Sequence, residues 1–294
     1  MNKALLLTLL FLPLVAMAEL PHASPVPGGV AVVPLAVNGE SAPTVTFNGK
    51  RVLVVRENQR WQAVVGLALT LEPGKHTLTL RHDGAETHTS FRVSPKKYET
   101  QRLTITNKRH VEPSSADQAR IKQDSAIIEN AFATWSDTLA DNLRFDVPAK
   151  GPFSSRFGLR RILNNQPRQP HSGLDIAAPE GTPITAPAAA LVLNTGDYFY
   201  TGNTVFLDHG QGLVSMYIHL SRVDVEQGMR VARGQRIGLV GKTGRTTGAH
   251  LHWAVSLNNA RVDPMLFLSP SAQAGTASAL KPPGQMGSTR PNGG

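Results

Sequence analysis

The sequence predicts a mainly β protein in which a helical bridge joins two β regions. Residues 19 to about 107 alternate in the manner of strands, residues 114–143 change to a helical period, and residues 149–268 return to short apolar runs. These changes of period divide the chain into five segments: residues 1–18, 19–107, 108–148, 149–268 and 269–294.

The first 18 residues have the composition of a secretory signal peptide. Lys3 precedes a short apolar run that begins at Ala4, and Ala16-Met17-Ala18 offers small residues for cleavage after Ala18. The alternative is a membrane anchor. It is disfavoured because the run is shorter than the ~20 residues that span a bilayer, and Pro13 interrupts it. We therefore expect a soluble protein that acts outside the cytoplasm.

The composition narrows the chemistry further. The chain of 294 residues has no cysteine, which excludes disulfides, thiolate metal ligands, cysteine nucleophiles and a lipidated cysteine. Its formal net charge is +9, and basic proteins are attracted to polyanions. Export disfavours nucleic acid as the partner and favours cell-wall polymer, with its peptide carboxylates, or anionic surface polysaccharide. The charge is almost equally consistent with solubility alone.

Residues 19–107 predict a small β-sandwich-like domain. Asn48-Gly49 is a strong hairpin-turn signal between an alternating run and its predicted partner strand, residues 51–55. Residues 76–82 alternate, so that Leu78 and Leu80 share one face. Several short strands separated by turns are typical of a sandwich.

The helical bridge is predicted from apolar residues at a helical spacing. They recur at intervals of three, four or seven: Ile121, Ile128, Ala131, Phe132, Trp135, Leu139 and Leu143. Ser115-Ala116-Asp117-Gln118 can form a capping box at the start, and Pro148 lies just beyond the end. We expect one or two amphipathic helices here, with the apolar stripe used for packing.

Residues 149–268 read as short strands closely punctuated by Gly and Pro, such as residues 191–193 and 237–240. Residues 269–294 consist largely of Ser, Ala, Gly and Pro. With so little apolar surface to bury, this tail is predicted to be disordered.

The strongest functional signal is a pair of short motifs in the second β region. His171-Ser-Gly-Leu-Asp175 offers an imidazole and a carboxylate, and His250-Leu-His252 offers two imidazoles on one face of a predicted strand. A catalytic zinc site needs three such protein ligands and an open position for water. Zinc lowers the pKa of that water towards neutrality and polarises the bond to be cut. The two motifs therefore predict a hydrolytic zinc site.

A third segment extends this cluster. Tyr217 and His219 also lie two residues apart in a predicted strand, so a sheet that carries both strands would gather three histidines and a tyrosine over one patch. His209, in a turn-like Asp-His-Gly, is expected to be structural.

These motifs resemble the LytM/lysostaphin-type zinc peptidases, peptidase family M23. The resemblance rests on residues 171–175, 216–220 and 250–253. The intervening segments 178–184, 234–244 and 262–264 resemble the family as well, so that it covers essentially all of residues 149–268. The front of the chain is similar, more loosely, to the N-terminal regions of Gram-negative members.

The resemblance implies roles that spacing alone does not assign. It implies one Zn²⁺ per chain, held by His171, Asp175 and His252, with His219 and His250 as the catalytic histidines. It also implies an antiparallel β-sheet groove with zinc on its floor. The implied substrates are peptide bonds in peptidoglycan, which would place the mature protein in the periplasm, without stable membrane insertion and with no nucleic acid as partner.

Several alternatives stay open. The same fold could serve a non-catalytic peptidoglycan-binding or amidase-activating protein, or a D,D-carboxypeptidase with the same site. The N-terminal region could occlude the groove. Tyr217 could hydrogen-bond an oxyanion or merely pack, and Arg160, Arg161 or Arg168 could contact substrate carboxylates or lie in a solvated loop.

Overall fold

The computed structural model describes residues 19–105, 108–138, 143–270 and 272. The predicted signal peptide and nearly all of the predicted tail lie outside these residues. The described part is mainly β, with antiparallel sheets and one α-helix, so the predicted fold class is confirmed. No helix among the described residues is long and apolar enough to cross a membrane.

The N-terminal region forms two antiparallel sheets that pack on a common core. Its strands are β1 (Val30–Pro34), β2 (Thr44–Phe47), β3 (Lys50–Arg51), β4 (Leu53–Glu57), β5 (Arg60–Gly66), β6 (Gly74–His82) and β7 (Ala85–Val93). One sheet has the order β1-β5-β4 and the other β3-β2-β6-β7. Phe47, Trp61, Leu78 and Leu80 come from both sheets and lie in the core between them, which makes the domain a β-sandwich.

The hairpin predicted at Asn48-Gly49 is present, but its second strand is shorter than expected. Both turn residues have positive φ, 48° and 75°, as a type I′ turn requires. The strand after the turn pairs with β2 as far as Arg51. At the buried residue Val52 the chain crosses to the opposite sheet, where it continues as β4. The predicted partner strand, residues 51–55, is therefore divided between the two sheets.

The bridge contains a 3₁₀ turn (Lys108–His110) and the helix α1 (Ser115–Phe132). The capping box lies one residue earlier than predicted: Ser114 accepts from the backbone of Asp117, whose carboxylate accepts from the backbone of Ser114. The helix ends at Phe132, before Trp135 and Leu143, so the apolar spacing predicted a longer helix than the structure has. Residues 139–142 lie outside the described part.

The remaining strands build the C-terminal domain around one large sheet. They are β8 (Thr100–Leu103), β9 (Phe153–Ser155), β10 (Arg160–Leu163), β11 (Gln166–Pro167), β12 (Leu174–Ala177), β13 (Pro183–Thr185), β14 (Ala190–Tyr198), β15 (Gly202–Asp208), β16 (Leu213–Val223), β17 (Arg230–Val231), β18 (Arg236–Val240), β19 (His250–Leu257) and β20 (Ala260–Val262), followed by a 3₁₀ turn (Pro264–Phe267). The antiparallel order is β17-β14-β15-β16-β19-β12-β9, with β13, β18 and β20 paired beside this path.

The two domains share a hydrophobic core. One face of the sheet β1-β5-β4 packs inside the sandwich, while Val30, Leu53, Val55 and Val64 on its other face lie in the core of the C-terminal domain. The Asn258 side chain bonds the backbone N–H and C=O of Gly66 at 2.6 and 3.0 Å, which satisfies both buried groups across the junction.

A small second sheet, β11-β10-β8, ties the end of the N-terminal region to the C-terminal domain. Strand β8 runs parallel to β10, with Thr100 opposite Arg160 and Leu103 opposite Leu163. Asn164 then accepts the backbone N–H of Ile105 at 2.8 Å and donates to its C=O at 3.0 Å. Residues 100–105 are thereby held beside the loop that leads to His171.

Candidate metal centre and active site

Three buried side chains converge where β12 and β19 lie side by side. Asp175 on β12 is directly opposite His252 on β19, and His171 approaches from the loop before β12. His171 Nε2 lies 2.9 Å from Asp175 Oδ1 and 2.9 Å from His252 Nδ1, and the Asp175 and His252 atoms are 2.7 Å apart. Together they form a group that could hold one metal ion.

Their surroundings fix the orientation of these three groups. His171 Nδ1 lies 2.7 Å from the carbonyl of Arg156, to which it can donate, so Nε2 presents its lone pair to the cluster. Arg161 donates to the second carboxylate oxygen of Asp175 at 3.2 Å. A Cβ atom at Gly173 would lie 2.5 Å from His252 Nε2, so the tight approach of this loop to the imidazole requires glycine. The donor set, two imidazoles and a carboxylate, suits zinc.

His219 and His250 stand beside this group, with ring centroids 4.9 Å apart. His219 Nδ1 lies 2.7 Å from the carbonyl of Thr243, and His250 Nδ1 lies 2.9 Å from the carbonyl of Gly248. Because a carbonyl only accepts, each ring carries its proton on Nδ1 and leaves Nε2 as a free base. Two properly oriented imidazoles therefore flank the candidate metal ligands.

Burial controls the charge of the site. It lowers the pKa of His219 to about 3, helped by the nearby His250 and His252, and lowers the pKa of His252 to about 4 against the opposing effect of Asp175. Burial also opposes ionisation of Asp175, yet His171 and His252 hold the pKa of that carboxyl well below its usual value. At neutral pH His219 and His252 are therefore neutral, and Asp175 carries a negative charge.

Tyr217 does not share a face with His219, as strand alternation had predicted. Tyr217 is paired with Trp253 and fully buried in the core, and Ile218 is the residue opposite His252. His219 has a φ of 67° at an irregularity in the pairing of β16 with β15, and this break brings it to the site. The Tyr217 hydroxyl bonds Ser215 at 2.9 Å within the core, as expected of a packing residue.

We expect Tyr217→Phe to leave the hydrolytic activity unchanged. Loss of the buried hydroxyl should lower the free energy of unfolding by about 1 kcal/mol, since Ser215 keeps its bond to His209 at 2.8 Å. Chemical denaturation and an activity assay on the same preparation test this. A loss of activity without loss of stability would contradict the assignment of Tyr217 to packing.

The groove above these side chains encloses about 380 Å³ and has contributions from both parts of the chain. Gln101, Leu103 and Ile105 line one side, and Arg245 and residues 246–250 line another. Of the three arginines considered from the sequence, Arg161 reaches the groove, whereas Arg160 is exposed and Arg168 bonds the carbonyl of Val111 at 3.0 Å.

Sequence reasoning missed the groove contributions of Arg245 and of residues 101–105. Neither carries a metal-ligand motif, and residues 101–105 fall within the predicted sandwich domain. His209, by contrast, is structural as expected: it is buried between Ala189 and Ser215, and burial lowers its pKa to about 4.

A solved structure resembles most of this chain. The fold matches a crystal structure described as a peptidase M23 from Pseudomonas aeruginosa, with 46% sequence identity and a TM-score of 0.72, over 83% of this chain and 95% of that one. The chain belongs to peptidase family M23. Within it, residues 169–264 match the model of peptidase family M23, and residues 23–96 match the model of the M23 N-terminal domain.

Curated relatives match less than half of this chain. Peptidoglycan DD-endopeptidase ShyA of Vibrio cholerae is 40% identical over 132 residues, which are 45% of this chain and 31% of the relative. DD-carboxypeptidase/endopeptidase Mpg of Neisseria meningitidis is 38% identical over 120 residues, 41% of this chain and 28% of the relative. The chain thus spans less than a third of the length of these relatives.

Proposed function

We propose that this M23 family member is a secreted zinc metallo-endopeptidase that hydrolyses peptide bonds in peptidoglycan cross-links. The convergence of His171, Asp175 and His252 within 2.9 Å, at the floor of a groove flanked by His219 and His250, carries the proposal. The similarity to relatives named peptidoglycan DD-endopeptidases, ShyA at 40% and ShyC at 38% identity, supports the substrate class.

In this proposal His171, Asp175 and His252 hold one zinc ion. A bound zinc ion supplies Lewis acidity, which lowers the pKa of a water molecule and polarises an amide carbonyl. Neighbouring groups of the chain orient these ligands. The backbone carbonyl of Arg156 fixes the tautomer of His171, and Arg161 donates to Oδ2 of Asp175.

His219 and His250 carry the protons in this scheme. His219, with its pKa lowered to about 3 by burial, is neutral at neutral pH and can accept a hydrogen bond or a proton at Nε2. His250 is less buried, and its Nδ1 is anchored to Gly248, so its Nε2 can take up the proton that the attacking water loses and then pass it to the leaving amine. The protonated ring also stabilises the negative charge that develops on the substrate carbonyl oxygen.

A D,D-carboxypeptidase is the second candidate, because the relative Mpg is named for both activities. The non-catalytic alternative is weaker, since all five proposed metal-binding and catalytic side chains are present: four line one groove, and His171 contacts two of these four. We also propose export to the periplasm through the signal at residues 1–18, in keeping with an extracytoplasmic wall substrate.

The decisive experiment is mass analysis of muropeptides after zinc-loaded protein has been incubated with purified sacculi, with His252→Ala as the control. Loss of cross-linked dimers with a matching gain of monomers, absent in the control, is the expected result. Loss of terminal alanine alone would identify a carboxypeptidase. No change with either protein would exclude both activities for the zinc-loaded form.

We further propose that residues 100–105 restrict access to the groove. Gln101, Leu103 and Ile105 line it, and Ile105 packs with Val111 and Leu163 in a small separate core. His171, Asp175, His219 and His252 are all at most 6% exposed, which is consistent with a narrow entrance.

Asn164→Gly tests this restriction, because it removes both bonds that hold Ile105 but suits the φ of 47° at this position. Two hydrogen bonds contribute about 1 kcal/mol each, so sacculus cleavage should become several-fold faster. Asn165→Gly, at a φ of 63°, is the matched control and should leave the rate unchanged. Equal rates for all three proteins would argue against restriction by this segment.

A further inference from the structure

Arg245 is a rigidly held cation on the loop that leads to His250, the first residue of β19. Its backbone N–H donates to the carbonyl of Tyr200 at 2.8 Å, and its guanidinium lies 4.1 Å from the centre of the Tyr200 ring. The preceding Gly244 has a φ of 69°, and a Cβ atom there would lie 2.6 Å from the same carbonyl. The loop is therefore pinned against residues 200–202, and Arg245 is presented to the groove in a fixed position.

The charge of Arg245 is not neutralised within the described part of the chain. No ion pair with a carboxylate is found for it there. Burial lowers its pKa, and the charges of Arg161 and Arg168 lower it further. Two comparably buried arginines, unlike Arg245, have a carboxylate partner: Arg261 pairs with Glu129, and Arg161 pairs with Asp175.

A partly buried cation without a counter-charge is costly, and so is its repulsion by like charges. Arg245 lines the groove together with Asp175, His219, His250 and His252, so an anion bound there would offset this cost. The planar guanidinium is suited to a carboxylate, which it can bind through two parallel hydrogen bonds.

We infer that Arg245 binds a free substrate carboxylate that flanks the scissile bond and thereby selects the peptides that this groove accepts. The inference rests on the proposed peptidase function and names its substrate class. In a D,D cross-link the scissile nitrogen is attached to a carbon that bears a free carboxylate, and the same is true of a terminal D-alanyl-D-alanine. Arg245 can therefore bind the carboxylate of endopeptidase and carboxypeptidase substrates alike.

The test compares two cross-linked muropeptide dimers that differ only in this group, a free carboxylate in one and a carboxamide in the other. Full-length zinc-loaded protein should cleave the carboxylate dimer with a kcat/KM roughly 10- to 100-fold higher, the range for a hydrogen bond to a charged group. Arg245→Gln should reduce kcat/KM for the carboxylate dimer to the carboxamide level and change the carboxamide value little. Arg245→Lys, which keeps the charge, should retain part of the preference.

Arg160→Gln removes an exposed cation on β10 and is the matched control, with kcat/KM and preference expected to equal those of the wild type. The inference would be overturned if the wild type cleaved the two dimers equally. It would also be overturned if Arg245→Gln, with unchanged zinc content, lowered kcat/KM equally for both dimers. The second result would assign Arg245 to structural support of the loop.

A binding measurement separates this inference from the proposed function. If the wild type cleaves neither dimer, the endopeptidase proposal fails, and calorimetry on the metal-free full-length protein decides the role of Arg245. Tighter binding of the carboxylate dimer, lost in Arg245→Gln, would support the carboxylate site. Absence of binding or of any preference would overturn it.

Discussion

Asp175→Asn is expected to abolish zinc binding and hydrolysis of sacculi. The amide is nearly isosteric with the carboxylate, so packing is preserved while the negative charge among His171, His252 and Arg161 is lost. Removal of a residue that only supports a metal ligand costs about 10- to 100-fold in affinity or activity, and loss of a ligand should exceed this.

Zinc content by mass spectrometry and muropeptide release measure the two effects. Asp224→Asn is the matched control, because Asp224 also accepts from two arginines, Arg222 and Arg236, but does so at the surface of the same domain. We expect its zinc content and activity to equal those of the wild type. Stoichiometric zinc in purified Asp175→Asn would remove Asp175 from the proposed ligand set.

His219→Asn is expected to retain zinc but lose about 10²- to 10⁴-fold in kcat, the usual contribution of a positioned acid or base. Asparagine tolerates the left-handed conformation better than most residues, so the φ of 67° at this position should be preserved. The substitution removes the Nε2 base that the bond to Thr243 leaves free.

Steady-state kinetics and zinc analysis on the same preparation separate catalysis from metal binding. Tyr217→Phe, two residues away on β16 but buried on the other face, provides the comparison. A drop in zinc content that parallels the drop in kcat would show that His219 supports the metal instead of transferring protons.

The two motifs that contain the proposed metal ligands could be found in the sequence because their spacing reflects local geometry, and the resemblance to peptidase family M23 implied which of their residues bind the metal. His250 and His252 lie two apart on a strand, and Gly173 permits a tight loop between His171 and Asp175. Their assembly required only that β12 and β19 be neighbours. The resemblance to peptidase family M23 implied that arrangement, and the structure brings these residues together.

The prediction that Tyr217 shares a face with His219 was wrong because strand alternation assumes a regular backbone. A non-glycine residue with positive φ, His219, interrupts β16, and nothing in the local pattern marks it. The contribution of residues 101–105 to the groove could not be predicted from the sequence for another reason. Parallel pairing of β8 with β10 joins segments about 60 residues apart, and the sequence pattern of one strand does not specify a distant partner.

The two domains share a hydrophobic core through the sheet β1-β5-β4, and this limits the use of the C-terminal domain as an isolated fragment or in a chimera. A fragment that begins near residue 149 would bare the apolar surface against which Val30, Leu53, Val55 and Val64 pack, and would leave Asn258 without the backbone groups of Gly66. The two domains should melt in a single transition. Chimeras that exchange catalytic specificity should therefore keep the sandwich of the donor or redesign the junction surface.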